Sequence, residues 1–171
     1  MKKVYLETFG CQMNVSDSER ISTQLKSGGN EMTADESAAD VVLFNTCSVR
    51  EKAEHKLYTR VGEVSQSPGK NKKPLVGVLG CVAQLEGETL FQKSPGIDFV
   101  LGTKAVGRVS SAIENATEGR KARKKVVDLG EREENYDWSV SERQRHSPFV
   151  AFVPIIEGCN KFCTYCIVPF S

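Results

Sequence analysis

Four short apolar runs recur in the first hundred residues. Each is followed by a stretch whose apolar residues return every three to four positions. Val4-Tyr5-Leu6-Glu7-Thr8-Phe9, Val41-Val42-Leu43-Phe44, Leu75-Val76-Gly77-Val78-Leu79 and Phe99-Val100-Leu101 are rich in β-branched and aromatic residues and read as strands. Between them the pattern turns helical. Ser16-Asp17-Ser18-Glu19 has the form of a capping box opening a helix with Ile21 and Leu25 inward, and Gly28-Gly29 ends it. Ser48 caps a second helix, with Val49, Ala53, Leu57, Val61 and Val64 on one face. Pro68-Gly69 and the basic run Lys70-Asn71-Lys72-Lys73 form the turn into the third strand. A shorter helix follows Cys81, with Leu85 and Leu90 buried, and Val106, Val109, Ile113 and Ala116 mark a closing helix. The order βαβαβαβα predicts an α/β domain built on an open parallel sheet with helices on its faces.

Composition changes abruptly near residue 118. Residues 119–147 are crowded with charges and hold few aliphatics beyond Val126, Val127 and Leu129, which predicts a charged linker with one short strand at most. Its cluster Arg120-Lys121-Ala122-Arg123-Lys124-Lys125 suits RNA phosphates or a solvated face. The acidic Glu131, Glu133 and Glu134 that follow favour the second reading. Tyr136 and Trp138 suit stacking on a base or docking on the sheet domain. Neither His55 nor His146 belongs to a motif, and His55 reads as a surface residue. Phe149-Val150-Ala151-Phe152-Val153-Pro154-Ile155-Ile156 is strand-like again, with Pro154 arguing for an edge or a bulge. The expected organisation is a sheet domain at 1–118, the linker at 119–147, and the first strand and loop of a second, truncated domain at 148–171.

A chain of 171 residues with 39% hydrophobic residues buries one ordinary core. Its net charge of +1 offers no global attraction for nucleic acid. No apolar run approaches the roughly 20 residues of a membrane span. Met1-Lys2-Lys3 opens like a signal peptide, but Glu7 breaks the short apolar stretch behind it, so a cytoplasmic first strand is expected.

Cysteine placement changes the picture most. Cys159-Asn160-Lys161-Phe162-Cys163-Thr164-Tyr165-Cys166 spaces three cysteines as C-x3-C-x2-C. Three thiolates hold three corners of a [4Fe–4S] cubane and leave the fourth iron open to a small molecule. A zinc knuckle, or a redox pair at Cys163 and Cys166, is the alternative. Cys11, Cys47 and Cys81 lie 36 and then 34 residues apart, each just after a predicted strand. Loops after parallel strands open on one edge, and strands lie about 4.8 Å apart, so these three converge within roughly 10 Å. They read as the ligands of a second open-site cluster. A buried free cysteine is the commoner fate of each taken singly, but does not explain recurrence at one point of each repeat. A disulfide framework does not suit βα elements in a cytosolic chain.

Four segments together resemble the radical S-adenosylmethionine (SAM) methylthiotransferases. They are Gly10-Cys11-Gln12-Met13-Asn14, Asn45-Thr46-Cys47-Ser48-Val49-Arg50-Glu51-Lys52-Ala53, Gly80-Cys81-Val82-Ala83-Gln84, and Glu157-Gly158-Cys159 through Cys166. Gln12-Met13-Asn14 and Ser48 through Ala53 are most similar to the branch acting on N(6)-dimethylallyladenosine of tRNA. The branches acting on a ribosomal-protein aspartate or on threonylcarbamoyladenosine usually show Pro-Lys-Asn or Lys-Val-Asn after the first cysteine. The resemblance implies a Rossmann-like sheet domain followed by a linker and the start of a radical SAM barrel, and thus an amino-terminal fragment of a longer enzyme. It implies two [4Fe–4S] clusters, an auxiliary one on Cys11, Cys47 and Cys81 and a SAM-reducing one on Cys159, Cys163 and Cys166. Tyr165 would lie near the SAM adenine. A tRNA substrate and a flavodoxin- or ferredoxin-type electron donor follow from it, in a cytoplasmic monomer without membrane contact. Amides at Gly10, Gly80 and Gly158 would tune the clusters, or those glycines serve only as turns. A non-catalytic iron–sulfur scaffold is the competing class of function.

Overall fold

The computed structural model describes residues 1–66, 73–132, 139–141, 144–145 and 147–170. The predicted turn at Pro68-Gly69, together with Glu133, Glu134, Tyr136, Trp138 and His146, lies outside them. Six strands form one sheet: β1 (Lys3–Phe9), β2 (Glu31–Met32), β3 (Val41–Thr46), β4 (Leu75–Leu79), β5 (Phe99–Leu101) and β6 (Val126–Asp128). Their order is β2-β1-β3-β4-β5-β6, and every neighbouring pair is parallel. β3 and β4 are buried at every position, the reason they read as unbroken apolar runs rather than alternating ones.

Helices cover both faces: α1 (Gln12–Ser27), α2 (Glu51–Gln66), α3 (Cys81–Glu86), α4 (Thr89–Lys93) and α5 (Val109–Lys121). Ile21 and Leu25 of α1 join Val109, Ile113 and Ala116 of α5 over Val41, Leu43, Leu75 and Leu101. Leu57, Val61 and Val64 of α2, with Val82 of α3 and Leu90 of α4, cover Val42, Phe44, Val76 and Val100. Alternate residues of β3 thus feed opposite cores, as the two-residue period of a strand requires. The chain runs from β1 outward to β2, then crosses back to β3 and onward to β6. The β1/β3 boundary is therefore the topological switch point, outside whose carboxyl ends such folds place ligands. No helix among the described residues is long and apolar enough to cross a membrane.

The parallel α/β architecture matches the expectation, and several details depart from it. The sheet has six strands, against four expected in the sheet domain and one short strand allowed in the linker. β2 is only two residues long and carries no apolar run; it forms because β1 offers an open edge to Glu31 and Met32. β6 lies inside the charged segment, where Val126 and Val127 pair with Phe99 and Val100, so the sheet continues past residue 118. Helix α1 begins at Gln12, not at Ser16. Asn14 Oδ1 accepts the Cys11 N–H at 3.2 Å and closes the helix start, while Ser16, Ser18 and Glu19 are buried within the helix. α2 begins at Glu51, which leaves Val49 in the loop and 66% exposed. Leu90 is buried as expected, but Leu85 is exposed near the end of the short α3.

Phe149 through Ile156 form no strand. Phe149 and Ile155 are more than nine-tenths exposed, and no described strand lies alongside to complete a ladder of hydrogen bonds. Two members of the basic cluster act inside the fold. Arg120 donates to Asp98 and to the Lys73 and Pro74 carbonyls, and Lys125 to the Pro95 and Ile97 carbonyls. His55 is exposed, 3.5 Å from Glu51.

Candidate metal centre

Cys11, Cys47 and Cys81 follow β1, β3 and β4, three adjacent strands, so they share the carboxyl edge at and beside the switch point. The loops that carry them interlock. A Cβ on Gly10 would lie 2.8 Å from Cys47 Cβ and 2.3 Å from Asn14 Oδ1. Gly80 has φ +88, and a Cβ there would lie 2.4 Å from Asn45 Oδ1 and 2.8 Å from the Thr46 carbonyl oxygen. The glycines before the first and third cysteines are thus close-approach residues pressed against the end of β3. Beneath them runs a buried polar network. Asn14 Nδ2 donates to Asn45 Oδ1 at 3.2 Å, and Asn45 Nδ2 donates to the Asn14 carbonyl and to Ser18 Oγ, both at 2.9 Å. Arg50 Nη1 donates to the Gly10 carbonyl at 2.8 Å, tying the loop after Cys47 to the loop before Cys11.

All three thiols are free. The Val49 N–H lies 3.4 Å from Cys47 Sγ. Burial raises the Cys81 thiol to about 11, with neighbouring Cys47, Asp17 and Cys11 adding to the rise and a hydrogen bond from the Ser48 backbone opposing it. The influence of Cys47 and Cys11 on Cys81 places the three thiols in one neighbourhood. Five buried side-chain oxygens among the described residues lack a hydrogen-bond partner, and three of them, on Thr46, Ser48 and Gln84, flank Cys47 and Cys81. Among the described residues, no three His, Cys, Asp or Glu side chains are grouped to hold one metal ion. A single zinc ion would need sulfurs roughly 3.8 Å apart, from Zn–S bonds of about 2.3 Å in a tetrahedron. A cubane spreads its thiolates over three different irons, and three free thiols on one sheet edge are the donor type that such a group takes.

Cys159 and Cys163 are exposed and Cys166 is half-buried. The Cys166 N–H donates to the Cys163 carbonyl at 3.0 Å, making a turn, and Phe162 packs edge-on against Phe170. Tyr165 is 91% exposed. Gly158, at φ +66, has open space around it, so its place in the turn is conformational. The segment reaches the sheet domain through Glu157, whose carboxylate accepts two bonds of 2.9 Å from Arg132.

Residues 3–102, well over half of the chain, match the uncharacterized protein family UPF0004. The chain belongs to this family. Among curated relatives, a tRNA-2-methylthio-N(6)-dimethylallyladenosine synthase of Fervidobacterium nodosum is 44% identical over 169 residues, 99% of this chain and 36% of the relative. A protein of the same name from Sulfurihydrogenibium sp. is 42% identical, over 98% of this chain and 38% of its own length. The one from Coxiella burnetii is 43% identical, over all of this chain and 38% of its own length. The chain therefore spans somewhat more than a third of the length of the curated relatives it matches. Within UPF0004, the matched region ends just after β5 and takes in all three cysteines of the first set.

Sequence reasoning passed over Asn45 and Asp17 as contributors to this edge. Asn45 has a signal in hindsight, an amide at the end of an otherwise apolar strand. Asp17 has none. Burial raises its carboxyl to about 6, with Arg20 opposing, Glu157 adding and Arg132 opposing. The folded value lies above the unfolded value near 3.9, so between about pH 4 and pH 6 the folded chain keeps a proton that the unfolded chain has released. The stability tied to that proton is full below about pH 4 and is lost as pH rises through 6; it amounts to about 3 kcal/mol. Denaturant midpoints measured across this window are expected to fall with rising pH in the native chain relative to Asp17→Asn. Parallel pH profiles for the two chains would remove Asp17 as the cause.

Proposed function

We propose that the chain supplies the cysteine-bearing part of a tRNA methylthiotransferase of the radical SAM type, adding a methylthio group to carbon 2 of N(6)-isopentenyladenosine beside the anticodon. The observation that carries this reading is the delivery of Cys11, Cys47 and Cys81 to one edge by three adjacent parallel strands, in a chain that carries a second set of three closely spaced cysteines. The names of the relatives supply the substrate class.

In this reading Cys11, Cys47 and Cys81 hold an auxiliary [4Fe–4S] cluster, and Cys159, Cys163 and Cys166 hold the one that engages SAM. When bound, the clusters supply the electron transfer and sulfur delivery that side chains lack. The chain's own residues shape the pockets. Cys11 caps α1, so the positive end of that helix faces its thiolate. The Val49 and Ser48 amides donate toward Cys47 and Cys81 and temper their charge. The paired amides of Asn14 and Asn45 hold the first two loops in register. Tyr165 presents an open ring face suited to the SAM adenine. Residues 148–171 begin the SAM-binding domain, an electron donor of flavodoxin or ferredoxin type serves it, and the protein works as a cytoplasmic monomer.

The test is anaerobic reconstitution with iron, sulfide, SAM, reductant and isopentenylated tRNA. The complete gene product is expected to form the 2-methylthio nucleoside. The 171-residue chain by itself is expected to release neither that nucleoside nor 5′-deoxyadenosine, because one loop cannot hold both reactants in attack geometry. Turnover by the 171-residue chain would overturn the division of labour. Modification only of a ribosomal-protein aspartate, or of threonylcarbamoyladenosine in tRNA, would move the substrate assignment to that branch.

A further inference from the structure

Helix α1 is unusual in burying charge. Its apolar residues Ile21 and Leu25 face the sheet, yet Ser16, Glu19 and Arg20 are buried as well. Ser16 and Arg20 are four residues apart, as are Glu19 and Thr23, so the two pairs lie side by side as a second stripe along the helix. Segments from far along the chain cover that stripe. The Ser141 N–H donates to Thr23 Oγ1 at 3.3 Å. Glu19 borders a cavity of about 290 Å³ whose other walls include Phe152, Val153 and Pro154. Arg20, with a side chain only 3% exposed, donates to Asp17 at 3.2 Å and to Ser16 Oγ at 3.2 Å, and its Nη1 lies 3.8 Å from Glu157 Oε1.

We propose that Arg20 and Arg132 form a positioning clamp on Glu157 that holds the Cys159–Cys166 loop against α1, beside the edge carrying Cys11, Cys47 and Cys81. Glu157 stands two residues before Cys159. Arg132 grips both of its carboxylate oxygens at 2.9 Å with a side chain only 16% exposed. Both bonds come from the single nitrogen Nη2, and the mostly buried guanidinium makes the contact less open to solvent than an ordinary surface ion pair. Arg20 links that contact to Asp17, and Asp17 lies within electrostatic reach of Cys81. The strand-like run before Glu157 has no partner strand among the described residues, so this polar contact, rather than a sheet ladder, sets the loop's place. The value of such a clamp to catalysis rests on the two-cluster reading, but the clamp is a property of the metal-free chain and is tested there.

The experiment is backbone relaxation by nuclear magnetic resonance on the metal-free 171-residue chain under reducing conditions. Order parameters for residues 157–166 are expected near those of the sheet, roughly 0.8, and are expected to fall below about 0.6 in Glu157→Gln and in Arg132→Gln. Amide signals of β1, β3 and β4 are expected to stay in place in both variants, a result that a role in overall stability would not produce. Order parameters already below about 0.6 in the unaltered chain, or unchanged in the variants, would overturn the clamp. General loss of signal dispersion would also overturn it, by making the pair a stability element. Because no iron is present, a negative result leaves the cluster assignment standing, and loss of the cluster assignment leaves the clamp standing.

Discussion

Replacing any one of Cys11, Cys47 or Cys81 with alanine is expected to halve the iron bound after anaerobic reconstitution, from about eight atoms per chain to about four. The same loss is expected for Cys159→Ala, Cys163→Ala and Cys166→Ala, and a variant lacking one cysteine from each set should bind almost none. The expectation is large because three thiolates are the minimum that keeps a cubane attached with one iron open, and two leave it exposed to loss. The replacements are mild as packing changes. Cys47 is 4% exposed and alanine fills most of its space, while Cys11 and Cys81 are only partly buried. Circular dichroism of the metal-free variants should therefore match that of the unaltered chain. Iron and sulfide analysis decides the matter. Undiminished iron in all three variants of the first set would sink the assignment, and a loss of one atom rather than four would point to a single-ion site.

Gly80→Ala is expected to be the most damaging single methyl group at this edge. The backbone there sits at φ +88, where an L side chain is strained, and the new Cβ would meet Asn45 Oδ1 at 2.4 Å and the Thr46 carbonyl at 2.8 Å. Neither neighbour gives way cheaply. Asn45 is locked by its bonds to Asn14 and Ser18, and Thr46 is backbone of the central strand β3. Strain and overpacking each contribute about 1 to 3 kcal/mol, so a loss of about 3 kcal/mol or more is expected, a large share of the stability of a domain this size. Gly29→Ala provides the comparison. Gly29 also has a positive φ, +77, but nothing lies within 4 Å of its added Cβ, so only the backbone cost of about 1 to 2 kcal/mol applies. Urea unfolding of the two metal-free variants checks this. Equal losses would show that the approach of the Cys81 loop to β3 is looser than described. A selective loss in Gly80→Ala should also impair iron binding by the first set, since the residue that moves is followed directly by Cys81.

Local pattern was enough for the parallel sheet. β3 and β4 are apolar on both faces because each lies between two helical layers, and such strands announce themselves as continuous runs. Helix α2 announced itself as well, because Ala53, Leu57, Val61 and Val64 keep one face of a 3.6-residue period against one core. The cysteines of the first set could be placed on one edge from the chain alone, since parallel strands joined by helices must all point the same way. Tertiary structure decided what has no period. β2 exists because the edge of the sheet offers a backbone partner, and a two-residue strand carries no pattern of its own, whereas the short β6 showed only as the aliphatic pair Val126-Val127 within the charged segment. The start of α1 was set by a bond between Asn14 and the Cys11 amide, which outcompeted the more familiar cap at Ser16. Asn14 and Asn45 are 31 residues apart in sequence, Arg132 and Glu157 are 25 apart, and the contact of Arg20 with Glu157 joins still more distant parts of the chain. A polar side chain reads as solvent-facing in isolation, and only the arrival of its partner in space makes burial favourable. The sequence thus determined that Cys11, Cys47 and Cys81 would share one sheet edge, while the folded structure decided which polar residues hold the loops that carry them.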